Sequence, residues 1–160
     1  MCGRFSITAT AEDVEELFGI DDVEVFPPRY NIAPTQPILM VRQVARGGEG
    51  ANRPDREALL VRWGLIPSWV KDLEAFPLLI NARSETVIEK NSFRAAIRHR
   101  RTLVPASGFY EWQRTGDKKS QAYWVRPRHG GLIAFAALME TYLSPDGSEI
   151  DTGAILTAES

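Results

Sequence analysis

Polar and apolar side chains alternate from Gly3 to Thr8 (Arg4, Phe5, Ser6, Ile7, Thr8), the period of a short half-buried strand. The period then lengthens. Thr10 as N-cap, Asp13 three residues on, Val14, Leu17 and Phe18 on one face, and Gly19 as a stop predict a helix. Between Asp21 and Pro37 stand Pro27, Pro28 and Pro34, too many prolines for regular structure; Phe26, Tyr30 and Ile32 offer apolar anchors for an ordered, extended loop. Ile38 to Val44 and Glu57 to Trp63 are expected to be strands, joined across Ala45 to Asp55 by a mobile hairpin loop rich in glycine and charge.

An aromatic turn follows, Trp63-Gly64-Leu65-Ile66-Pro67-Ser68-Trp69. The apolar run Leu78-Leu79-Ile80 opens abruptly into Asn81-Ala82-Arg83-Ser84-Glu85. Ser84 is placed to cap a short helix, and a second begins near Ser92, with Phe93, Ala96 and Ile97 inward and Arg94, Arg98, His99, Arg100 and Arg101 outward. From there the pattern is strands. Leu103 to Trp112, Ala122 to Arg126, Leu132 to Glu140 and Ile150 to Thr157 are separated by turns at Thr115-Gly116-Asp117, Gly130-Gly131 and Pro145-Asp146-Gly147. Many strands at hairpin spacing with few short helices predict an α+β fold of mainly antiparallel sheet, rolled into a barrel. With no internal repeat and no composition break, residues 1–160 are expected to form one domain. The chain stops at Ser160 directly after an apolar strand, the pattern of a domain cut inside its sequence.

Composition narrows the class. A chain of 160 residues, 44% hydrophobic and 25% charged, is that of a globular domain able to bury about two thirds of its unfolded surface. Its single cysteine excludes an intramolecular disulfide and favours a reducing cytoplasm. No basic-then-apolar leader is visible, and no apolar run approaches the roughly 20 residues of a membrane helix. A formal net charge of −2 argues against coating nucleic acid by bulk charge, so any such contact must come from a local basic patch.

The one cysteine stands directly behind Met1. Aminopeptidases remove Met1 when the next side chain is small, leaving an α-amine and a thiol on one residue, with ordinary pKa values of about 7.7–8.0 and about 8.5. Such a pair can capture an aldehyde, the amine forming a Schiff base and the thiol closing a thiazolidine. It can equally act as an N-terminal nucleophile on an amide, or Cys2 is simply a small residue opening a strand. Glu111 lies among Phe109, Tyr110 and Trp112; alternation puts it on the face of Phe109, where desolvation tunes a carboxylate for general acid–base work, unless it faces outward or pairs with a cation. Asn81 and Arg83, two apart in an extended segment, share a side and suit a sugar oxygen and a phosphate, or else turn chemistry and a solvated guanidinium. Arg4 and Arg29 can add phosphate contacts, and Trp63 and Trp69 are stacking faces or core. The run from Arg94 to Arg101 is a phosphate track or a solvated helix face. His99 and His129 are too scattered for a metal site or a serine triad, and no glycine-rich phosphate loop precedes a helix.

In order along the chain, Met1-Cys2-Gly3-Arg4-Phe5, the run Arg29 to Thr35, the Trp63 to Trp69 turn, Asn81-Ala82-Arg83-Ser84-Glu85-Thr86 and Leu103 to Trp112 together resemble the SOS-response-associated peptidase family of abasic-site processing proteins. The resemblance implies a β-rich barrel-like fold, a partner in single-stranded DNA containing abasic sites, and a covalent thiazolidine link through Cys2. It further implies Cys2 as nucleophile, Asn81 as positioner of the sugar and amine, and Glu111 as proton carrier and participant in a proposed self-removal of Met1. Arg4, Arg29, Asn31 and Arg83 would contact DNA, with Trp69 against displaced bases. No cofactor, metal or membrane is expected, and the chain is expected to act as a cytoplasmic monomer that joins the nucleoid on damaged DNA.

Departures from the family pattern are visible too. Its further histidine, in a His-x-Arg-like segment, lies past Ser160, and neither His99 nor His129 matches it. Thr102 replaces a common cysteine, and Ala137 and Met139 replace a usual glycine and tryptophan. The alternatives are an N-terminal-nucleophile amidohydrolase, since class II glutamine amidotransferases also begin Met-Cys-Gly, and a non-catalytic single-strand binder.

Overall fold

The computed structural model describes residues 2–44, 55–116 and 119–159. The hydrophobic alternation yields strands β1 (Phe5–Ile7), β2 (Arg29–Ile32), β3 (Pro37–Gln43), β4 (Arg56–Trp63), β5 (Asn81–Arg83), β6 (Arg101–Ala106), β7 (Gly108–Thr115), β8 (Lys119–Val125), β9 (Ile133–Leu143) and β10 (Glu149–Thr157). Helices α1 (Ala11–Phe18) and α2 (Arg94–His99) are both short. Hydrogen bonding joins β4-β3-β6-β9-β10, and β10 then pairs in parallel with β4 (Thr152 with Arg62, Gly153 with Trp63). That last pairing closes a five-stranded barrel. β5 adds to the rest of β10, also in parallel, with Asn81 opposite Ile155 and Arg83 opposite Thr157. A second sheet, β2-β1-β7-β8, is wholly antiparallel and packs Phe5 and Phe109 edge-on against Phe135 of the barrel, at centroid distances of 5.9 and 5.8 Å.

Local chemistry explains most boundaries. Thr10 and Asp13 form a reciprocal capping box, and Gly19 ends α1 in the left-handed conformation. The buried stripe is Ala11, Val14 and Phe18; Leu17, expected inward, is about half exposed because the i, i+3, i+7 face excludes it. The 21–37 segment is extended as expected, but part of it becomes β2. Ile32 is buried there while Tyr30, expected to anchor, is exposed. Ser84 starts hydrogen-bonded turns rather than a helix: its own N–H goes to the Thr157 carbonyl, which keeps the backbone in the sheet. The loop expected at 45–54 lies outside the described residues, although the register of β3 with β4 is that of a hairpin.

The largest correction concerns Leu103 to Trp112, which is two strands and not one. The chain breaks at Ser107 and passes from the barrel into the second sheet, where the Ser107 N–H donates to the Ser6 carbonyl at 2.8 Å. Gly108 permits the crossing. A Cβ there would lie 2.5 Å from Trp124 Nε1 and 2.7 Å from the Val125 carbonyl oxygen, because that indole lies across it to donate to Ser6 Oγ at 3.2 Å.

Trp63 sits at the centre of the assembly, fully buried, edge-on to Phe5 at 5.3 Å and donating from its indole nitrogen to the Ile80 carbonyl at 3.0 Å. Trp63→Ala is therefore expected to cost about 3–5 kcal/mol in urea denaturation. A loss below about 1 kcal/mol would show that the barrel end closes without it.

Candidate functional site

β1 carries the N-terminal residues into the second sheet. Phe5 pairs with Phe109 and Ser6 with Gly108, and the Tyr110 N–H donates to the Arg4 carbonyl at 2.9 Å. Carried two residues back, that antiparallel register sets Gly3 opposite Glu111. Cys2 is thereby delivered beside a carboxylate. Its side chain is buried in the main core cluster, and its thiol donates to the Arg4 carbonyl at 3.8 Å. Burial, and then the negative charge of Glu111, push the Cys2 thiol up to about 11, since both penalise a thiolate. At neutral pH the thiol is protonated.

Alternation in β7 places half-buried Glu111 on the side of Phe109, and Tyr110 and Trp112 on the other, as the sequence pattern predicts. Asn81 arrives from a distant part of the chain. Fully buried Ala82 turns the neighbouring side chains, half-buried Asn81 and exposed Arg83, to the opposite face of β5. Asn81 is linked to the N-terminal strand through packing: Ile80 accepts from Trp63, and Trp63 abuts Phe5. Its amide nitrogen makes only a long contact, 3.5 Å, to the Ile155 carbonyl.

The other expected residues have partners of their own, apart from Cys2 and Glu111. Arg4 donates to Asn31 Oδ1 at 3.1 Å, joining β1 to β2. Arg29 donates to Gln36 Oε1 at 3.0 Å and to the Pro37 carbonyl, so its guanidinium clamps the turn that follows β2. The two tryptophans of the aromatic turn divide: Trp63 is core, whereas Trp69 is 56% exposed and rests edge-on against Phe76. Phe76 in turn packs on a small apolar cluster of Ile66, Val70 and Tyr142, separate from the core that holds Cys2. His99 borders a basic cavity between α2 and β6, His129 lies in the turn after β8, and neither touches the centre. Among the described residues no group of His, Cys, Asp and Glu can hold a metal ion, and no helix is long and apolar enough to cross a membrane.

Sequence reasoning passed over the outer face of the second sheet. Tyr30, Trp112 and Trp124 are all exposed there; the Tyr110 hydroxyl donates to the Tyr30 carbonyl at 2.8 Å, and Arg126 lies over Trp124 at 5.4 Å. The available signal was the i, i+2 spacing of Tyr110 and Trp112, which puts both on the side away from Glu111. A cavity of about 670 Å3 between α1 and the β8–β9 turn includes none of Cys2, Asn81 or Glu111.

The raised thiol makes a direct prediction. Iodoacetamide alkylation of Cys2 is expected to keep accelerating with pH past about 10, whereas a free cysteine levels off above its ordinary value of about 8.5. A plateau below about pH 9 would show that neither burial nor Glu111 acts on the sulfur.

The profile of the SOS response associated peptidase (SRAP) family matches residues 1–160. The chain belongs to this family. SRAP relatives include the abasic site processing protein YoqW of Bacillus subtilis (strain 168), 38% identical over 162 residues that cover 99% of this chain and 69% of YoqW. Another is YedK of Escherichia coli (strain K12), also an abasic site processing protein, 33% identical over 99% of this chain and 68% of its own. The mouse abasic site processing protein HMCES is 30% identical over 87% of this chain and 48% of its own. A crystal structure of a Bacteroides thetaiotaomicron protein superposes with a TM-score of 0.82 at 25% identity, covering 99% of this chain and 68% of that one. The SRAP family thus accounts for the barrel and its attached sheet.

Proposed function

We propose that the chain, once Cys2 is its first residue, captures the ring-opened aldehyde of an abasic site in single-stranded DNA as a thiazolidine. The observation that carries this function is the buried Cys2 thiol held beside Glu111 at the start of β1. The curated relatives named for abasic site processing support the substrate.

The steps balance as a condensation. The Cys2 amine adds to the aldehyde carbon, and the carbinolamine loses one water to give the imine. The sulfur then adds to the imine carbon while the thiol proton passes to the nitrogen, closing the five-membered ring. Burial and the charge of Glu111 disfavour the thiolate in the chain that still carries Met1; in this order the amine leads, and the thiol gives up its proton when the imine stands beside it. Glu111 is the relay at hand, taking the thiol proton and passing it to the nitrogen as the ring closes. The same carboxylate serves in hydrolysis of the Met1–Cys2 bond, the self-processing that the family name suggests.

Asn81 orients the sugar and the amine. Arg4, braced by Asn31, and Arg83, exposed on β5, hold phosphates on either side, while Arg29 shapes the β2 turn and adds positive charge next to Asn31. Trp69, with its exposed face, packs on displaced bases. The protein acts as a monomer, with no cofactor.

Intact mass spectrometry tests the chemistry. The expected product is heat-stable, with the summed mass of the Met1-free protein and the abasic oligonucleotide less one water. No adduct, together with ammonia released from glutamine, would replace aldehyde capture with amide hydrolysis. Undamaged DNA bound as tightly as abasic DNA, without an adduct, would leave only a single-strand binder.

A further inference from the structure

Away from the N-terminal strand, the end of α2 and the start of β6 build a second feature. Phe93 and Ala96 are buried against the barrel, which leaves the last turn of α2, with Arg98 and His99, facing outward. Cations suit that end of a helix, where the carbonyls are unpaired. The chain then enters β6, whose alternation exposes Arg101 and buries Thr102. A cavity of about 510 Å3 opens there between the end of β3, the α2–β6 junction and β9, with Arg42, Arg98, His99, Arg100 and Arg101 among its lining and no carboxylate there among the described residues.

The charges in this mouth are not all spent. Arg42 is paired with Glu57 at 2.6 Å. Arg100 donates to Thr141 Oγ1 at 3.0 Å and draws on the buried Glu140 behind it. Arg98 and Arg101 are exposed and have no ion pair among the described residues. A merely solvated helix face would not wall a cavity with guanidinium groups from three separate elements. In a chain of formal net charge −2, positive charge gathered this way favours a polyanion.

We propose that this basic mouth binds the phosphodiester backbone of the DNA strand as it runs away from the captured sugar. The proposal rests on the abasic-DNA function above and extends its footprint. β6 runs from Arg101 at the mouth to Ala106, after which Ser107 bonds to Ser6 on β1. Five strand steps span about 17 Å. A strand in a duplex rises about 3.4 Å per phosphate and an extended single strand spaces its phosphates more widely, so at most about five nucleotides cover that length.

The test compares wild type with the double variant R98A/R101A, using oligonucleotides of about 2 and about 20 nucleotides, abasic and undamaged, over a range of salt. With the long strands the variant is expected to bind about tenfold more weakly, and its log K against log salt slope to flatten by about 1.4, for two lost phosphate contacts at about 0.7 each. With the short abasic strand, affinity and adduct yield are expected to stay at the wild-type level, and R98K/R101K to restore most of the slope. Unchanged affinity and slope with the long strands would overturn the proposal, as would an equal loss with the short one. Tripolyphosphate that binds wild type but not the variant, without competing with the long strand, would reassign the mouth to a free polyanion. Because the long undamaged strand is read alongside, a failure of aldehyde capture leaves this comparison intact.

Discussion

Cys2→Ala is expected to abolish the heat-stable adduct with abasic single-stranded DNA while leaving the protein folded. Alanine is small enough to preserve Met1 removal, and it retains the α-amine. The amine can still condense with the aldehyde, but without sulfur the imine has nothing to close it and hydrolyses back. Borohydride should therefore trap a Schiff base in the variant, whereas heating without reductant should return free DNA. The side chain is small, so its loss from the core cluster costs only about 1 kcal/mol, too little to unfold the domain. A heat-stable adduct of equal yield from Cys2→Ala would end the thiazolidine mechanism.

Glu111→Gln should move two readouts in opposite directions. The amide keeps the shape of the side chain and loses both its charge and its ability to carry a proton. Removal of the charge that disfavours the thiolate lowers the Cys2 thiol toward its ordinary range, so alkylation at a fixed pH between about 8 and 10 should speed up. The sign follows from the thiol being neutral when protonated: with less negative charge nearby, the thiolate forms at lower pH. Adduct formation should nevertheless slow by about 10²–10⁴-fold, the usual contribution of a positioned proton carrier. A structural role for Glu111 predicts no such split. Faster alkylation with an unchanged adduct rate would make the carboxylate a mere electrostatic neighbour, and slower alkylation would contradict its effect on the sulfur.

Both experiments depend on groups that lie far apart in sequence, and this divides what was legible from what was not. The capping box of α1, the glycine stop, the hairpin strands and the turn at Pro145-Asp146-Gly147 follow from contacts within a few residues, so sequence pattern alone determined them. The same holds for the face of Glu111, set by strand alternation, and for the place of Cys2 directly behind Met1. Leu17 and Tyr30 were misplaced because apolar character does not report which side of an element the core covers. Ser84 could cap a helix locally, but its N–H found a sheet partner at Thr157.

Only the tertiary structure decided the rest. Periodicity cannot report a parallel pairing such as β10 with β4, because the partner strands are some ninety residues apart, and that pairing is what shuts the barrel. The break at Ser107 was equally hidden, since both sides of it read as continuous strand until one side joins another sheet. Most of all, the thiol's elevated pKa belongs to no local pattern: it arises because the β1–β7 register buries Cys2 and sets it beside Glu111. Sequence by itself determined which groups are present and their local geometry, whereas long-range packing, which alone controls burial and charge proximity, decided what state they are held in.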